Sequence, residues 1–434
     1  MGKGFGSASR PVRLSLCAIA KNEAHRLGNC LASVRGFVDE IVVVDTGSSD
    51  RTVEIAKQHK AKVFRFEWCD DFAAARNYAL RHAKGEWILV LDADELLDAA
   101  IQPILTEVMQ QQTCLAVNLV RLEVGASQSP YSLVSRLFRR RADLGFTGIY
   151  HERIDLSVEE IIDREPHWQV VTIPAIAIHH YGYQTHEIAR KQKYDFAKRL
   201  MHKHLEAFPQ DSYMYSKLGA LYVSESSSID ESERESLSAL SGEDSEPRNL
   251  KLARGIELLQ TGLNLAFQHS QQDQTLFELY YHLGIAYTQR SQSESAKQAY
   301  QTALELNVPD LVKLPAYNNL GSIWLEETAY DLAIAAYERA IAIAPDFAKG
   351  FCNLGIALKA AGRLGDAISA YERAIIIAPE YADAYQNLGV VLMRLGQVPS
   401  AIANFKQAIF YHEQQQNFAN AEALRSGLQD MGLL

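Results

Sequence analysis

Trp87-Ile88-Leu89-Val90-Leu91-Asp92-Ala93-Asp94-Glu95 is the run on which the reading of this chain turns. An unbroken, β-rich apolar segment of this length is a strand covered on both faces, as in a parallel sheet. Acids follow it at once. In an open α/β sheet, ligands bind just beyond the carboxyl ends of the strands, so Asp92 and Asp94 emerge where a substrate would sit. They would share a face if the strand went on, and in a turn after it they can converge. Paired hard oxygen ligands suit Mg2+ or Mn2+ bridging a diphosphate, because the cation neutralises charge developing on the leaving group. An acidic strand-to-helix turn with an N-cap would use the same letters.

Outward from this run the pattern repeats. Leu14–Ala20, Ile41–Val44, Lys62–Phe66 and Leu115–Val120 are further short β-rich segments. Between the early ones lie helix candidates with caps, Ser49 or Asp50 before Arg51–His59, and Asp70 or Asp71 before Phe72–Ala83. Alternation of this kind predicts an α/β sheet. Ile41–Val44 runs into Asp45-Thr46-Gly47-Ser48-Ser49-Asp50, so Asp45 also stands at a strand end, where it could accept a hydrogen bond from a pyrimidine ring N–H. Ala18–Glu23 closes the first strand in the same way, and three strand ends converge. Later, Phe138, Phe146–Ile149 and Val170–Ile178 are expected as strands, without a periodicity that fixes their connections.

The second half has its own period. Leu320-Gly321, Leu354-Gly355 and Leu388-Gly389 recur at 354−320=34 and 388−354=34, and Pro345 and Pro379 keep that interval. Tyr337, Tyr371 and Phe405 supply a large aromatic in step, and Ala333, Ala367 and Ala401 a small residue. Leu283-Gly284 with Ala296 and Tyr300 is an earlier copy, and Leu218-Gly219 begins the first. Over this half the chain resembles the tetratricopeptide family, which implies an all-α solenoid of about five helix pairs. Ser224–Pro247, rich in Ser, Glu and Asp, interrupts the first pair and is expected to be a disordered loop. Such arrays bind peptides or proteins on a concave face; scaffolding or pairing into a homodimer is the plain alternative.

With 434 residues the chain exceeds one ordinary core, and the expected division is 1–200 for the α/β domain and 201–434 for the repeats. A formal net charge of −10 argues against sequence-independent nucleic-acid binding. Arg136 with Arg139, Arg140 and Arg141 reads first as a solvated strand edge and second as a meeting point for an anionic substrate. The five cysteines are scattered and form no CxxC pair, so they are expected to be reduced. No stretch has the length of a membrane span or of a secretory signal, and a cytoplasmic location is expected.

Four segments carry a more specific likeness. Leu16–Glu23, Asp39–Asp50, Asp70–Asn77 and Leu91–Glu95, in that order, resemble family 2 glycosyltransferases of the GT-A fold. The resemblance implies inverting transfer from a UDP-sugar or similar nucleotide sugar, with Asp92-Ala93-Asp94 as the Asp-x-Asp motif. It places Ala18, Asn22, Glu23, Asp45, Arg76, Asp92, Ala93 and Asp94 around the donor: Asp45 on the nucleobase, Asp92 on the ribose or sugar, Asp94 on the metal. Inversion needs one general base for the incoming hydroxyl or thiol. Glu152 in Gly148-Ile149-Tyr150-His151-Glu152 resembles the His-Glu motif of this branch and is the candidate, with Asp143 and Asp155 as alternates. His180 resembles a downstream His-x-Gly element that could hold the metal or the diphosphate; a structural histidine is the alternative. Trp68 and Tyr183 could line the sugar site or merely pack. The combination with repeats resembles peptide S-glycosyltransferases of the sublancin type, which implies a polypeptide acceptor.

Two rivals stand beside this reading. A nucleotidyltransferase would carry a glycine-rich loop after its first strand, and Ala18–Glu23 has no glycine. A non-catalytic adaptor would leave the repeats as the working part, yet a decayed α/β half would be expected to have lost some of these acids or Arg76. Transfer to a glycan or a lipid carrier is a further alternative within the same chemistry.

Overall fold

The structure, a computed structural model, describes residues 13–125, 131–182, 187–227, 247–268 and 273–433. Eight strands build one mixed sheet: β1 (Leu14–Ala20), β2 (Glu40–Asp45), β3 (Lys62–Arg65), β4 (Trp87–Val90), β5 (Glu95–Leu97), β6 (Cys114–Glu123), β7 (Tyr131–Arg139) and β8 (Gln169–His180). Their order is β3-β2-β1-β4-β7-β6-β8-β5. The first four strands run parallel, and β7 joins β4 antiparallel. Each buried strand divides its side chains between two cores, as a period of two requires. Leu14, Leu16, Trp87, Leu89 and Leu91 face one core with Leu27 and Leu31 of helix α1 (Leu27–Ser33) and Ala56 of α2 (Thr52–Gln58). Cys17, Ile88 and Val90 face the other, with Ala73 and Ala79 of α3 (Phe72–His82).

That division of helices marks the functional edge. From β1 the chain moves outward to β2 and β3, then returns to place β4 on the other side of β1, with α3 on the opposite face from α1 and α2. The connections diverge at this switch, which puts the carboxyl ends of β1 and β4 where open α/β sheets bind their ligands. Asp71 caps α3 by accepting a hydrogen bond from Ala74 N at 2.9 Å, and Asp50 Oδ1 accepts from Thr52 N at 2.9 Å at the start of α2.

Phe146–Ile149, expected as a strand, forms none; its surroundings hold a single bridge between Thr147 and Arg153. The side chain of Asn77 takes the place of a neighbouring strand: Nδ2 donates to Phe146 O and Oδ1 accepts from Phe146 N, both at 2.8 Å. Positive φ at Gly148 and His151 then turns the chain away from any ladder. Between β4 and β8, α4 (Gln102–Met109) and α5 (Asp155–Arg164) complete the layers.

Two compact units divide the chain, Met1–Thr275 and Leu276–Leu434. The first contains the sheet and also α6 (Glu187–Ala207), α7 (Ser212–Ser227) and α8 (Arg248–Gln268), so the first of the expected helix pairs is counted with the α/β part. Of the Ser/Glu/Asp-rich tract, Ser224–Ser227 forms the last turn of α7, and residues 228–246 lie outside the described residues. Helix α9 (Asp273–Gln289) leads into the second unit, followed by α10 (Ser293–Glu305), α11 (Asp310–Glu326), α12 (Tyr330–Ile343), α13 (Ala348–Ala360), α14 (Leu364–Ile377), α15 (Ala382–Arg394), α16 (Val398–Gln414) and α17 (Phe418–Asp430).

The 34-residue period now has a steric cause. In the four pairs from α9 to α16 the leading helix presents a glycine to an aromatic ring of the next: Gly284 to Tyr300, Gly321 to Tyr337, Gly355 to Tyr371 and Gly389 to Phe405. A Cβ on any of them would come within 2.5 to 2.9 Å of the ring. Ala333, Ala367 and Ala401 are fully buried where the paired helices touch. All five cysteines are free thiols, four of them buried.

Candidate active site

Two groups of side chains gather at the carboxyl edge of the sheet. The first is the turn region after β1 and β2. Asn22, in left-handed conformation at φ 57°, donates its N–H to Ser48 Oγ at 3.0 Å and accepts from Ser49 N at 2.8 Å. Glu23 N donates to Thr52 Oγ1 at 2.8 Å, and Asp45 Oδ1 accepts from Ser48 N at 3.0 Å. These bonds tie the two strand ends into one rigid rim, with Asp45 buried at its base and Ala18 buried in β1.

The second group is a chain of alternating charge. Glu152 pairs with Arg76 Nε; Arg76 Nη2 donates to Asp92 Oδ1 at 2.5 Å; Arg136 donates to Asp92 Oδ2 at 2.7 Å. Arg136 also faces Glu95 at 3.4 Å, Arg121 bridges Glu95 at 2.8 Å and Glu123 at 2.7 Å, and Glu123 Oε2 meets His180 Nδ1 at 2.5 Å. His180 Nε2 lies 3.3 Å from Asp94 Oδ2, which Arg26 approaches at 3.4 Å. Asp92 and Asp94 therefore diverge in role within one turn. Asp92 is clamped on both oxygens by arginines, and Asp94 faces the imidazole.

Strand pairing explains why these groups meet. His180 sits opposite Glu95 on β5 and opposite Glu123 on β6, while Tyr181 N donates to Asp94 O at 3.0 Å. Gly182 leaves the room this needs, since a Cβ there would lie 2.6 Å from His180 Nε2. The Gly148–Glu152 loop is held from the helical side: His204 Nδ1 accepts from Ile149 N at 3.1 Å, so its Nε2 carries the proton and donates to Asp211 at 2.9 Å.

The charges set one another. Burial works against ionisation of Asp92, but Arg136 and Arg76 hold its carboxyl well below the usual range. Burial likewise opposes Asp94 and Glu123, yet His180 and, for Glu123, Arg121 pull both down, Glu123 to about 2. For His180, burial favours the neutral ring, but hydrogen bonds to Asp94 and Glu123 outweigh it and raise its pKa to about 9. At neutral pH the imidazole is protonated, and binding a cation there requires loss of that proton.

The expected site residues thus fall into Asn22, Glu23 and Asp45 on the rim, Arg76, Asp92 and Glu152 in one ion-paired cluster, and Asp94 with His180 in a second. Trp68 donates to Asp70 at 2.9 Å and packs edge-on against Phe72; Tyr183 lies outside the described residues. Reading Arg136 as part of a solvated strand edge is overturned: it is buried between Asp92 and Glu95. Arg139, next along, is sandwiched between Trp87 and Trp168 and donates to Cys114 O at 2.7 Å, and Arg141 forks onto Asp143 and Glu165. Arg26, Glu95, Arg121 and Glu123 were not foreseen. The spacing of Arg121 and Glu123, two apart on β6, was the visible signal, because charges that alternate on one face of a buried strand need partners there.

A divalent cation fits these residues only in part. Among the described residues no cluster of three His, Cys, Asp or Glu side chains could hold a metal. Asp94 and His180 offer one carboxylate and one imidazole side by side, and Glu123 occupies the other ring nitrogen, an arrangement that fits a metal completed by oxygens of a bound diphosphate. One buried donor, Nη1 of Arg76, has no hydrogen-bond partner.

Residues 15–169 match glycosyl transferase family 2, and residues 277–307, 321–362 and 357–396 match tetratricopeptide repeats. The fold and its carboxylate turn are thus those of a family 2 glycosyltransferase domain. A TPR repeat-containing protein of Synechococcus elongatus is 37% identical over 333 residues, covering 77% of this chain and 76% of the relative. The chain thus joins a glycosyl transferase family 2 domain to tetratricopeptide repeats, and it belongs to the same family as this repeat-containing relative. An uncharacterized glycosyltransferase of Rickettsia felis is 40% identical over 90 residues, 21% of this chain and 31% of the relative. The prophage-derived glycosyltransferase SunS of Bacillus subtilis is 31% identical over 153 residues, 34% of this chain and 36% of the relative. The chain spans about a third of the length of these last two relatives. No helix among the described residues is long and apolar enough to cross a membrane.

Proposed function

We propose that this glycosyltransferase moves a sugar from a UDP-sugar, or a similar nucleotide sugar, to a peptide or protein acceptor in the cytoplasm, with inversion and with Mn2+ or Mg2+. The observation that carries the reading is the division of labour in the Asp92-Ala93-Asp94 turn. Asp92, fixed by Arg76 and Arg136, is a rigid acceptor for donor hydroxyls; Asp94 beside His180 is free of that clamp and can hold a cation together with the diphosphate. The rim of Asn22, Glu23 and Asp45 receives the nucleoside, and Arg76 serves the donor site by holding Asp92 in place. The cation supplies charge neutralisation at the departing diphosphate.

In a single displacement the acceptor oxygen or sulfur forms a bond to the anomeric carbon as the bond from that carbon to the diphosphate breaks. The acceptor proton passes to a carboxylate, for which Glu152 is our candidate, and nucleoside diphosphate leaves with the bonding pair. Glu152 is engaged by Arg76 in the resting protein and so must accept the proton on its other oxygen or leave that pair. The likeness to SunS, a named glycosyltransferase, supports sugar transfer, and the repeats support a polypeptide acceptor.

A screen of sugar nucleotides for metal-dependent hydrolysis without acceptor tests the donor and the cation together. One sugar nucleotide should be cleaved with Mn2+ or Mg2+, and Asp94→Asn should abolish cleavage while the chain still folds, its melting temperature lowered by loss of the His180 pair. Hydrolysis that persists in EDTA, or survives Asp94→Asn, would remove the metal from the reading. The absence of any cleavage or of any nucleotide-induced thermal shift would favour a binding role for the whole chain.

A further inference from the structure

Behind His180, beyond the Asp-x-Asp turn, stands a buried carboxylate that touches neither Asp92 nor Asp94. Glu123 ends β6, is 6% exposed, and stands opposite His180 in the β6–β8 register. Its Oε2 meets His180 Nδ1, while Oε1 is gripped by Arg121 and accepts from Ser132 Oγ at 2.8 Å. Neither oxygen is left to reach a ligand directly. The other face of the same imidazole, Nε2, looks onto Asp94. Val124 N donates to His180 O at 2.9 Å, which locks the ring's backbone to the strand that carries Glu123.

We infer that Glu123 is a positioning residue: it grips Nδ1 of His180 so that Nε2 is presented, beside Asp94, to a divalent cation. This deepens the functional reading above and rests on it. A carboxylate on the outer ring nitrogen fixes ring orientation and tautomer and makes the inner nitrogen a better donor. The benefit differs between cations. Mn2+ accepts an imidazole nitrogen readily, whereas Mg2+ favours oxygen and retains its waters.

The experiment measures UDP affinity of the full chain by calorimetry in three buffers: Mn2+, Mg2+ and EDTA. In the parent protein both cations should tighten UDP binding, Mn2+ more than Mg2+. In Glu123→Gln the Mn2+ arm should weaken about tenfold or more, the Mg2+ arm should fall less, and the EDTA arm should not move. A merely structural role would lower all arms alike. Ser132→Ala, which removes the hydroxyl that donates to Glu123 and accepts from Arg121, should shift the same arm in the same direction by a smaller factor, and carries the test if Glu123→Gln does not fold. Equal losses with both cations, or no loss, would overturn the inference alone. A parent protein whose UDP binding ignores cations would overturn the functional reading and the inference with it.

Discussion

Arg76 is the member of the charge chain whose removal has the most calculable cost. Its guanidinium, 4% exposed, neutralises Glu152, whose side chain is 8% exposed, and Asp92, whose side chain is 30% exposed. In Arg76→Met, Asp92 keeps Arg136 at 2.7 Å and a share of solvent, so it loses little. Glu152 keeps no ion-pair partner among the described residues. Stranding one buried charge costs roughly 3–5 kcal/mol, because its desolvation is no longer compensated. For a unit of this size each kcal/mol lowers Tm by roughly 2–4 °C, so a drop on the order of 10 °C is expected. Removing the stranded charge as well, in Arg76→Met with Glu152→Gln, should recover about 2 kcal/mol or more. Urea denaturation of the parent, both single variants and the double gives the coupling directly. A coupling below about 0.5 kcal/mol, the range of independent sites, would refute the claim that these two groups compensate each other.

Glu152→Gln alone should leave UDP binding within a few fold of the parent but stop transfer to acceptor; retained turnover in a product assay would move the base elsewhere. The His180 charge predicts a stability profile. Its folded pKa of about 9 lies above the ordinary 6.5, so its contribution is complete below pH 6.5 and is lost as pH rises towards 9, by about 3 kcal/mol at most. His180→Gln should therefore flatten the alkaline limb of a ligand-free melting curve, and parallel curves would contradict the assignment. Glu123, with its folded pKa lowered to about 2, contributes stability above pH 4.5 that is lost as pH falls towards 2, and Glu123→Gln should lack that part of the acid limb in the same melts. Gly355→Ala would drive a methyl to 2.5 Å from the buried Tyr371 ring, with an expected cost of roughly 1–3 kcal/mol read by denaturation; no loss would mean that the helix pair repacks freely.

How much of this was legible without coordinates follows from the range of the forces involved. Strands β1, β2 and β4 and the repeats were readable because burial on both faces writes continuous apolar runs, and helix pairing writes glycine, alanine and aromatic positions at a fixed interval. Asp92 and Asp94 could be located because a strand end is a local feature. Their different roles could not, since these depend on Arg76, Arg136 and His180, which arrive from α3, β7 and β8. Phe146–Ile149 failed as a strand because Asn77, distant in sequence, satisfies the backbone of Phe146 that a ladder would have used. Arg136 looked solvent-facing because a charge in a basic run carries no mark of burial until its acidic partners are in place. Local pattern and period thus determined the two halves and the carboxylate turn. Only the tertiary structure decided which charges neutralise one another, because ion pairing in a protein interior is set by which strands lie side by side and not by which residues are neighbours in the chain.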